Sequence, residues 1–253
     1  MALIGAQMYT ARDFCKTPEG IAESCAKVKA MGYDGIQVSA FGPIEPVELK
    51  KILDGEGLKC AATHVSLDRL ENETDAVIEE HQIWECNYTA IGGFFPKEAW
   101  TLDLWNGFVD RYNAIAEKFK GSGIRIGYHN HSHELAPTEE GVRPLDLLID
   151  KLGDGTWMEI DTYWITHGGS DPAAYIDKVA GKIPCVHFKD MTITPAREQK
   201  MCEIGDGNLN WPRIIDSCKA AGVEWYLVER DRGDLDPFES LKRSVENMRE
   251  MGL

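Results

Sequence analysis

The chain is short of basic charge, and it lacks the usual means of being stapled, anchored or exported. Only 27 lysines and arginines stand against 42 aspartates and glutamates, a net charge of −15. A surface that acidic repels phosphate backbones and anionic membranes, so neither nucleic acid nor a membrane is an expected partner. The seven cysteines (Cys15, Cys25, Cys60, Cys86, Cys185, Cys202 and Cys218) are odd in number and include no C-x-x-C pair. That pattern argues against a disulfide framework and a structural zinc knuckle, and fits a reducing cytoplasm. No apolar stretch approaches the roughly 20 residues needed to cross a bilayer. The opening Met1-Ala2-Leu3-Ile4-Gly5 has neither the basic leader nor the apolar run of a secretory signal. Low-complexity tracts, blocky charge runs and domain linkers are missing too, so a soluble cytoplasmic protein folded as one domain, 1–253, is expected.

What is present is an alternation of short apolar runs with amphipathic segments, recurring about every 30 residues along a chain that is 43% hydrophobic and 27% charged. Strands are expected at 3–8, 35–38, 58–64, 88–91, 124–128, 157–160, 183–188 and 225–229, each too short for a helix and mostly β-branched or aromatic. Between them lie helix signals. Thr17-Pro18-Glu19 supplies a cap, a first-turn proline and a carboxylate, and Asp171-Pro172 and Asp236-Pro237 repeat the opening. Ile21, Cys25, Val28 and Met31 follow at helical spacing before Gly32; Trp105, Phe108, Tyr112, Ile115 and Phe119 do the same before Gly121. Eight strands alternating with about eight helices require parallel pairing through right-handed crossovers. An open doubly wound sheet usually carries a glycine-rich phosphate turn after its first strand. Here that turn reads Gln7-Met8-Tyr9-Thr10-Ala11-Arg12. A closed α/β barrel of the (β/α)8 TIM type is therefore the expected fold. Two longer loops, 96–100 and 191–210, fall where such a barrel builds its active site.

In a β/α barrel the reactive groups sit at the C-terminal strand ends. His64 ends the third predicted strand, His129-Asn130-His131-Ser132-His133-Glu134 follows the fifth, and Asp161 follows the sixth. His187 and Lys189 end the seventh, and Glu229 ends the eighth, while His81 alone falls on a predicted helix and His167 with Gly168-Gly169 shapes a loop. Glu134, Asp161, His187 and Glu229 make a metal-ligand set of three carboxylates and one imidazole, suited to Mn²⁺, Mg²⁺ or Co²⁺ and acceptable to Zn²⁺. The alternative is that each caps a helix or pairs with a lysine. Four such groups at consecutive strand ends favour the metal.

Tyr128-His129-Asn130-His131 with Glu134, Asp161-Thr162-Tyr163-Trp164, Val186-His187-Phe188-Lys189-Asp190 and Glu229 together resemble the xylose isomerase-like barrel superfamily, in its sugar phosphate isomerase/epimerase branch. The likeness extends to Gly5-Ala6-Gln7-Met8-Tyr9 and Gly32-Tyr33-Asp34-Gly35-Ile36. It implies one divalent ion, often Mn²⁺, acting on a ketose or keto-sugar, with metal-bound glutamates exchanging the proton; self-association is common in such families. Asp161, His187 and Glu229 fall on three of the family's metal positions. Many relatives carry the fourth, a glutamate, directly at the end of strand five, where this chain has Tyr128, so Glu134 has to curl back into the site. Trp164 replaces a histidine common after strand six, and Gln37 stands where a glutamate is common on strand two.

The chemistry implied is removal of a proton next to a carbonyl through an enediolate. Glu134 and Glu229 are the carboxylates expected to take part, and His129 or His131 is the further acid or base. Strand alternation puts 129 and 131 on one side and 128 and 130 on the other, without saying which side faces the axis. His64, Lys189, Trp164, Gln7 and Asn130 are candidate substrate contacts, with Trp100 and Phe95 as further aromatic walls. A lyase, such as a keto-inositol dehydratase or a 3-keto-glycoside-cleaving enzyme, begins with the same step, and a catalytically silent sugar-binding barrel is a third reading. Gly205-Asp206-Gly207 is the one weak candidate for a phosphate turn.

Overall fold

The computed structural model describes residues 2–97 and 100–253. Eight strands form one parallel sheet: β1 (Leu3–Gln7), β2 (Gly35–Val38), β3 (Lys59–His64), β4 (Tyr88–Ile91), β5 (Arg125–His129), β6 (Thr156–Glu159), β7 (Cys185–Phe188) and β10 (Trp225–Val228). Their order, β6-β5-β4-β3-β2-β1-β10-β7, brings the first and last strands together and leaves β6 and β7 to close the ring. That seam is sewn by Met158 N–H to the Lys182 carbonyl at 2.8 Å, by His187 N–H to the Ile160 carbonyl at 3.0 Å and by a bridge between Asp161 and His187. The closure therefore places two candidate site residues side by side.

The expected helix chemistry forms as read. In α1 (Pro18–Ala30) the Thr17 side chain accepts from Gly20 N–H, and Asp171 and Asp236 cap α8 (Pro172–Lys178) and α10 (Pro237–Glu250) in the same way. The remaining helices are α2 (Pro46–Glu56), α3 (Leu67–Asn72), α4 (Thr74–Trp84), α5 (Leu102–Lys118), α6 (Pro144–Lys151), α7 (Thr162–His167) and α9 (Trp211–Ala221). Helix α5 buries Trp105, Phe108, Tyr112 and Ile115 against the barrel. His167 closes α7 rather than lying in a loop.

Inside the ring, Trp157, Trp225, Leu227, Cys185 and three alanines (Ala61, Ala62 and Ala90) fill the N-terminal half. Two indoles fit there because nearby strands supply glycine. A Cβ on Gly127 would lie 2.3 Å from the Trp157 ring, and one on Gly35 would lie 2.9 Å from Trp225. The same contact settles the parity of β5: Gly127 and His129 face the axis, and Tyr128 faces the helices, buried beside Phe108.

The loop after β7 carries an antiparallel hairpin, β8 (Asp190–Ile193) and β9 (Gln199–Cys202), that sequence alone did not indicate. The Gly205-Asp206-Gly207 turn behind it holds an anion, but one belonging to the chain. Gly205 and Gly207 N–H groups donate to Asp190 Oδ2 at 2.9 and 3.1 Å, with the Trp211 indole at 2.7 Å. No amide there is left pointing at a phosphate. Among the described residues, no helix is long and apolar enough to cross a membrane. Glu98 and Ala99 of the 96–100 loop lie outside the described residues.

Candidate metal centre and active site

At the C-terminal end of the ring a cavity of about 360 Å³ is lined by Tyr9, Ser39, Ala40, His64, Gly92, Phe95, His129, His131, Lys189, Glu229 and Asp231. A larger hollow of about 600 Å³ lies at the opposite end, around Leu3, Lys59, Tyr88 and Trp225. The donor clusters described next all belong to the C-terminal end.

Strand ends and short caps bring the groups together. Asp161 is the N-cap of α7: its Oδ1 accepts from Trp164 N–H at 2.9 Å, which turns Oδ2 toward the axis. Asn130 Oδ1 accepts from Asp161 N–H at 3.0 Å, tying the end of β5 to that of β6, and Thr162 Oγ1 accepts from Lys189 N–H at 2.9 Å, tying the end of β6 to that of β7. Around Asp161 Oδ2 stand His129 Nε2 at 3.2 Å, His187 Nδ1 at 3.7 Å and Lys189 Nζ at 3.1 Å. Glu229 Oε2 lies 3.0 Å from His187 Nδ1 and 2.7 Å from Lys189 Nζ. Donor atoms of His129, Asp161, His187 and Glu229 all fall within 4.8 Å of one another, and all four residues are buried.

Three of the expected metal residues, Asp161, His187 and Glu229, are thus together, and Glu134 is not with them. Glu134 is buried beside a different pair, His131 and His133. Its Oε1 accepts from the Tyr128 hydroxyl at 2.8 Å and its Oε2 from His131 N–H at 2.8 Å. The reason is local: the turn His133–Leu135 folds the side chain back toward Tyr128, on the helix side of β5. His129 takes the fourth place instead. Asn130 is likewise spent on Asp161 N–H and the His131 carbonyl, and it does not line the cavity. Gln7 is buried beneath His64, with Nε2 at 3.3 Å from His64 Nδ1 and Oε1 accepting from Tyr9 N–H at 2.8 Å. His64, His131 and Lys189 do reach the cavity. The Trp164 indole lies 5.0 Å from the His131 ring and 5.5 Å from Lys189 Nζ, so it walls the cluster from behind. Phe95 covers His131 at 4.9 Å, whereas Trp100 bonds the Ala136 carbonyl and packs on Trp105.

Two acids escaped the sequence reading. Glu159 sits one alternation below Asp161 on the axial face, fully buried, with Oε2 at 2.6 Å from His64 Nε2 and Oε1 accepting from Gln37 Nε2 at 2.9 Å. The parity that places Asp161 inward places Glu159 inward too, and that was the signal available. Asp231 lines the cavity and meets Lys189 Nζ at 2.9 Å.

The electrostatics follow from crowding. Burial works against ionised Asp161 and Glu229, yet Lys189 and the histidines hold both well below the usual carboxylate range. Burial alone would make His187 less basic, but Glu159 and Glu229 outweigh it and hold a proton on the ring. His129 shifts the other way, lowered by burial and by His187. His131 is pushed down to about 2 by burial and its cationic neighbours. Burial and Glu229 raise Asp231 to about 6, against the pull of Lys189.

The donor set suits a divalent cation. His187 Nδ1 and Glu229 Oε2, buried and 3.0 Å apart, are held only by ion pairs with each other, Asp161 and Lys189, and His129 Nε2 faces the same Asp161 oxygen. Ligand atoms crowded in this way are ones that a divalent cation can satisfy together. Two imidazoles and two carboxylates suit Mn²⁺ or Zn²⁺ better than Mg²⁺.

Comparison with known proteins agrees with this architecture. The chain is 23% identical over 268 residues to the rhizopine catabolism protein MocC of Rhizobium meliloti, covering 90% of this chain and 81% of that protein. It is 24% identical over 245 residues to the inosose dehydratase of Lacticaseibacillus casei, covering 82% of each. A crystal structure of a sugar phosphate isomerase/epimerase from Parabacteroides distasonis superposes with a TM-score of 0.80 at 21% identity, over 99% of this chain and 94% of that one. Dehydratases and isomerases thus share this fold, and a sugar-modifying enzyme is the coarse reading they have in common. The model of the xylose isomerase-like TIM barrel family matches residues 25–251, and the chain belongs to that family.

Proposed function

We propose that this protein is a divalent-metal-dependent isomerase or epimerase acting on an uncharged ketose or keto-sugar by removing a proton next to the carbonyl. The observation that carries the reading is the convergence of buried His129, Asp161, His187 and Glu229, whose donor atoms lie within 4.8 Å of one another, at the floor of the cavity. When bound, the cation supplies Lewis acidity that polarises the carbonyl and its neighbouring hydroxyl and so acidifies the C–H between them.

The chain's own residues do the rest. Glu229, ionised and at the cavity floor, takes the proton as general base. Lys189, whose three N–H donors serve Asp161, Glu229 and Asp231, exchanges one of these partners to donate a hydrogen bond to the oxygen that gains charge in the enediolate. His131, kept neutral and standing on the cavity wall beneath Phe95, holds a substrate hydroxyl, and Glu229 hands the proton it took back to the enediolate. His64 and Ser39 border the remainder of the sugar. Among the described lining residues Lys189 is the one cation, and it is already paired with Asp161, Glu229 and Asp231. Those pairs leave no unmatched cation among the described lining residues for a phosphate, so the proposed substrate is an unphosphorylated ketose or keto-sugar.

A second reading is elimination: the same enediolate expels a β-hydroxyl. The inosose dehydratases among its relatives favour it, and so does Asp231, whose carboxyl, raised to about 6, can hand a proton to the departing hydroxyl so that it leaves as water. Incubating the Mn²⁺-loaded protein with ketoses and inososes in D₂O separates the two. Deuterium gained at the α-carbon with the carbon skeleton intact supports isomerisation or epimerisation, and loss of water supports the dehydratase. No exchange with any of them overturns both.

A further inference from the structure

Beneath the cavity runs a chain of buried hydrogen bonds whose direction can be read from end to end. Tyr9 N–H can only donate, so the oxygen of the Gln7 amide faces it at 2.8 Å and the NH₂ group faces His64 Nδ1 at 3.3 Å. His64 Nδ1 is therefore an acceptor, and its proton sits on Nε2, 2.6 Å from Glu159 Oε2. The other Glu159 oxygen can only accept, so the Gln37 amide presents NH₂ to it at 2.9 Å. The Gln37 oxygen then points at His187 Nε2, 2.7 Å away. An amide oxygen accepts, so His187 Nε2 carries a proton whether or not the ring is charged. All the side chains concerned except His64 are completely buried, and water cannot relax the order.

We propose that Glu159 and Gln37 are positioning residues that lock His187 with its proton on Nε2, leaving the Nδ1 lone pair aimed at Asp161 and Glu229 for a cation. The inference rests on the four-donor site proposed above and deepens it. A carboxylate that orients a ligand histidine through its far nitrogen fixes both tautomer and ring angle. Here the carboxylate acts both through Gln37 and directly, with Glu159 Oε1 3.3 Å from His187 Nε2. Both the Gln37 oxygen and the carboxylate are acceptors, so each calls for the proton on Nε2, and Gln37 fits between them because an amide has one donating and one accepting end. The same lock gives His64 a fixed role: both its nitrogens are engaged, so it walls the cavity and does not shuttle protons.

The exchange of a single atom pair breaks the lock. In Glu159→Gln, the new NH₂ group must face either His64 Nε2–H or the Gln37 NH₂ group, donor against donor. Relief on the Gln37 side flips that amide and turns its NH₂ group on His187 Nε2, which drives the proton onto Nδ1. Zn²⁺ affinity, measured by chelator competition on the full chain, is expected to fall about tenfold to a hundredfold, the usual cost of losing such an outer partner. The swap Gln37→Glu with Glu159→Gln restores every donor to an acceptor, and it is expected to recover affinity to within about threefold of the parent. A merely structural Glu159 predicts no such rescue. Long-range ¹⁵N–¹H spectra of ¹⁵N-histidine-labelled, Zn²⁺-loaded wild-type protein supply a readout that needs no variant to fold: the His187 proton is expected on Nε2. A proton on Nδ1, unchanged Zn²⁺ affinity in Glu159→Gln, or failure of the swap to rescue overturns the lock alone. Failure of wild-type protein to bind Zn²⁺ overturns the cation reading beneath it.

Discussion

Replacing Lys189 by methionine tests how the acidic centre is balanced. The ammonium is buried and touches three carboxylates, Glu229 at 2.7 Å, Asp231 at 2.9 Å and Asp161 at 3.1 Å. Their attraction outweighs burial and raises the lysine above its ordinary range. Removing one partner from a buried ionic cluster costs about 3–5 kcal/mol. For a chain of this size that is a fall in Tm of about 6–20 °C. Two of those carboxylates are also candidate cation ligands, so a divalent ion and the ammonium compete for the same oxygens. Unit charges about 4 Å apart at an effective dielectric of about 20 interact by about 4 kcal/mol. Even a third of that repulsion, once removed, raises metal affinity about tenfold. Lys189→Met is therefore expected to unfold early without metal, to recover most of its stability in saturating Mn²⁺, and to bind Mn²⁺ more tightly than the parent while losing turnover. Scanning calorimetry with and without MnCl₂, paired with titration calorimetry, reads all of these. Equal destabilisation with and without Mn²⁺, or weaker Mn²⁺ binding, would refute the shared-oxygen argument.

Three further outcomes follow from the same structure. In Glu134→Gln the amide oxygen keeps His131 N–H but its NH₂ group meets the Tyr128 hydroxyl, which loses its acceptor and already accepts from Phe94 N–H, so unfolding stability is expected to fall by about 1–3 kcal/mol while Mn²⁺ stoichiometry stays at one; Glu229→Gln is expected to lose the bound Mn²⁺, and metal analysis of both proteins decides. His81 is buried against Thr63 and the Val77 carbonyl, with burial lowering its pKa. The stability tied to its neutral ring is whole above about pH 6.5 and drains as pH falls, by about 1.4 kcal/mol per unit, so urea titrations across pH 7 to 5 should show a slope that His81→Gln flattens. Gly127→Ala drives a methyl into the Trp157 indole; a loss of about 1–3 kcal/mol is expected, and an unchanged Tm would mean that the barrel floor is looser than described.

The barrel was legible because each of its eight strands is a short apolar run bounded by real stop signals, and the observed strands fall within a residue or two of the expected ones. The hairpin Asp190–Cys202 was not, because its polar residues carry no strong alternation and its anchor, the carboxylate of Asp190 in a ring of amides, is a tertiary contact. The convergence of Asp161, His187 and Glu229 at one end of the ring was legible from strand-end placement alone. The side on which residues 128 to 131 project was not. It is set by Trp157 filling the space of the missing Gly127 side chain, a contact between strands. Glu134 lies apart from those three for a related reason: beyond a strand end, spacing no longer fixes direction, and a turn of three residues sends the carboxylate to Tyr128. Glu159 was hidden within an apolar run, although its parity with Asp161 was in view throughout.

The most direct test of the central claim is a crystal grown with Mn²⁺ and measured for anomalous scattering at the manganese edge. One peak is expected within bonding distance of His187 Nδ1, Asp161, Glu229 and His129, with Lys189 displaced toward Asp231. A map with no peak there, or a peak held by His131, His133 and Glu134 instead, would contradict the account.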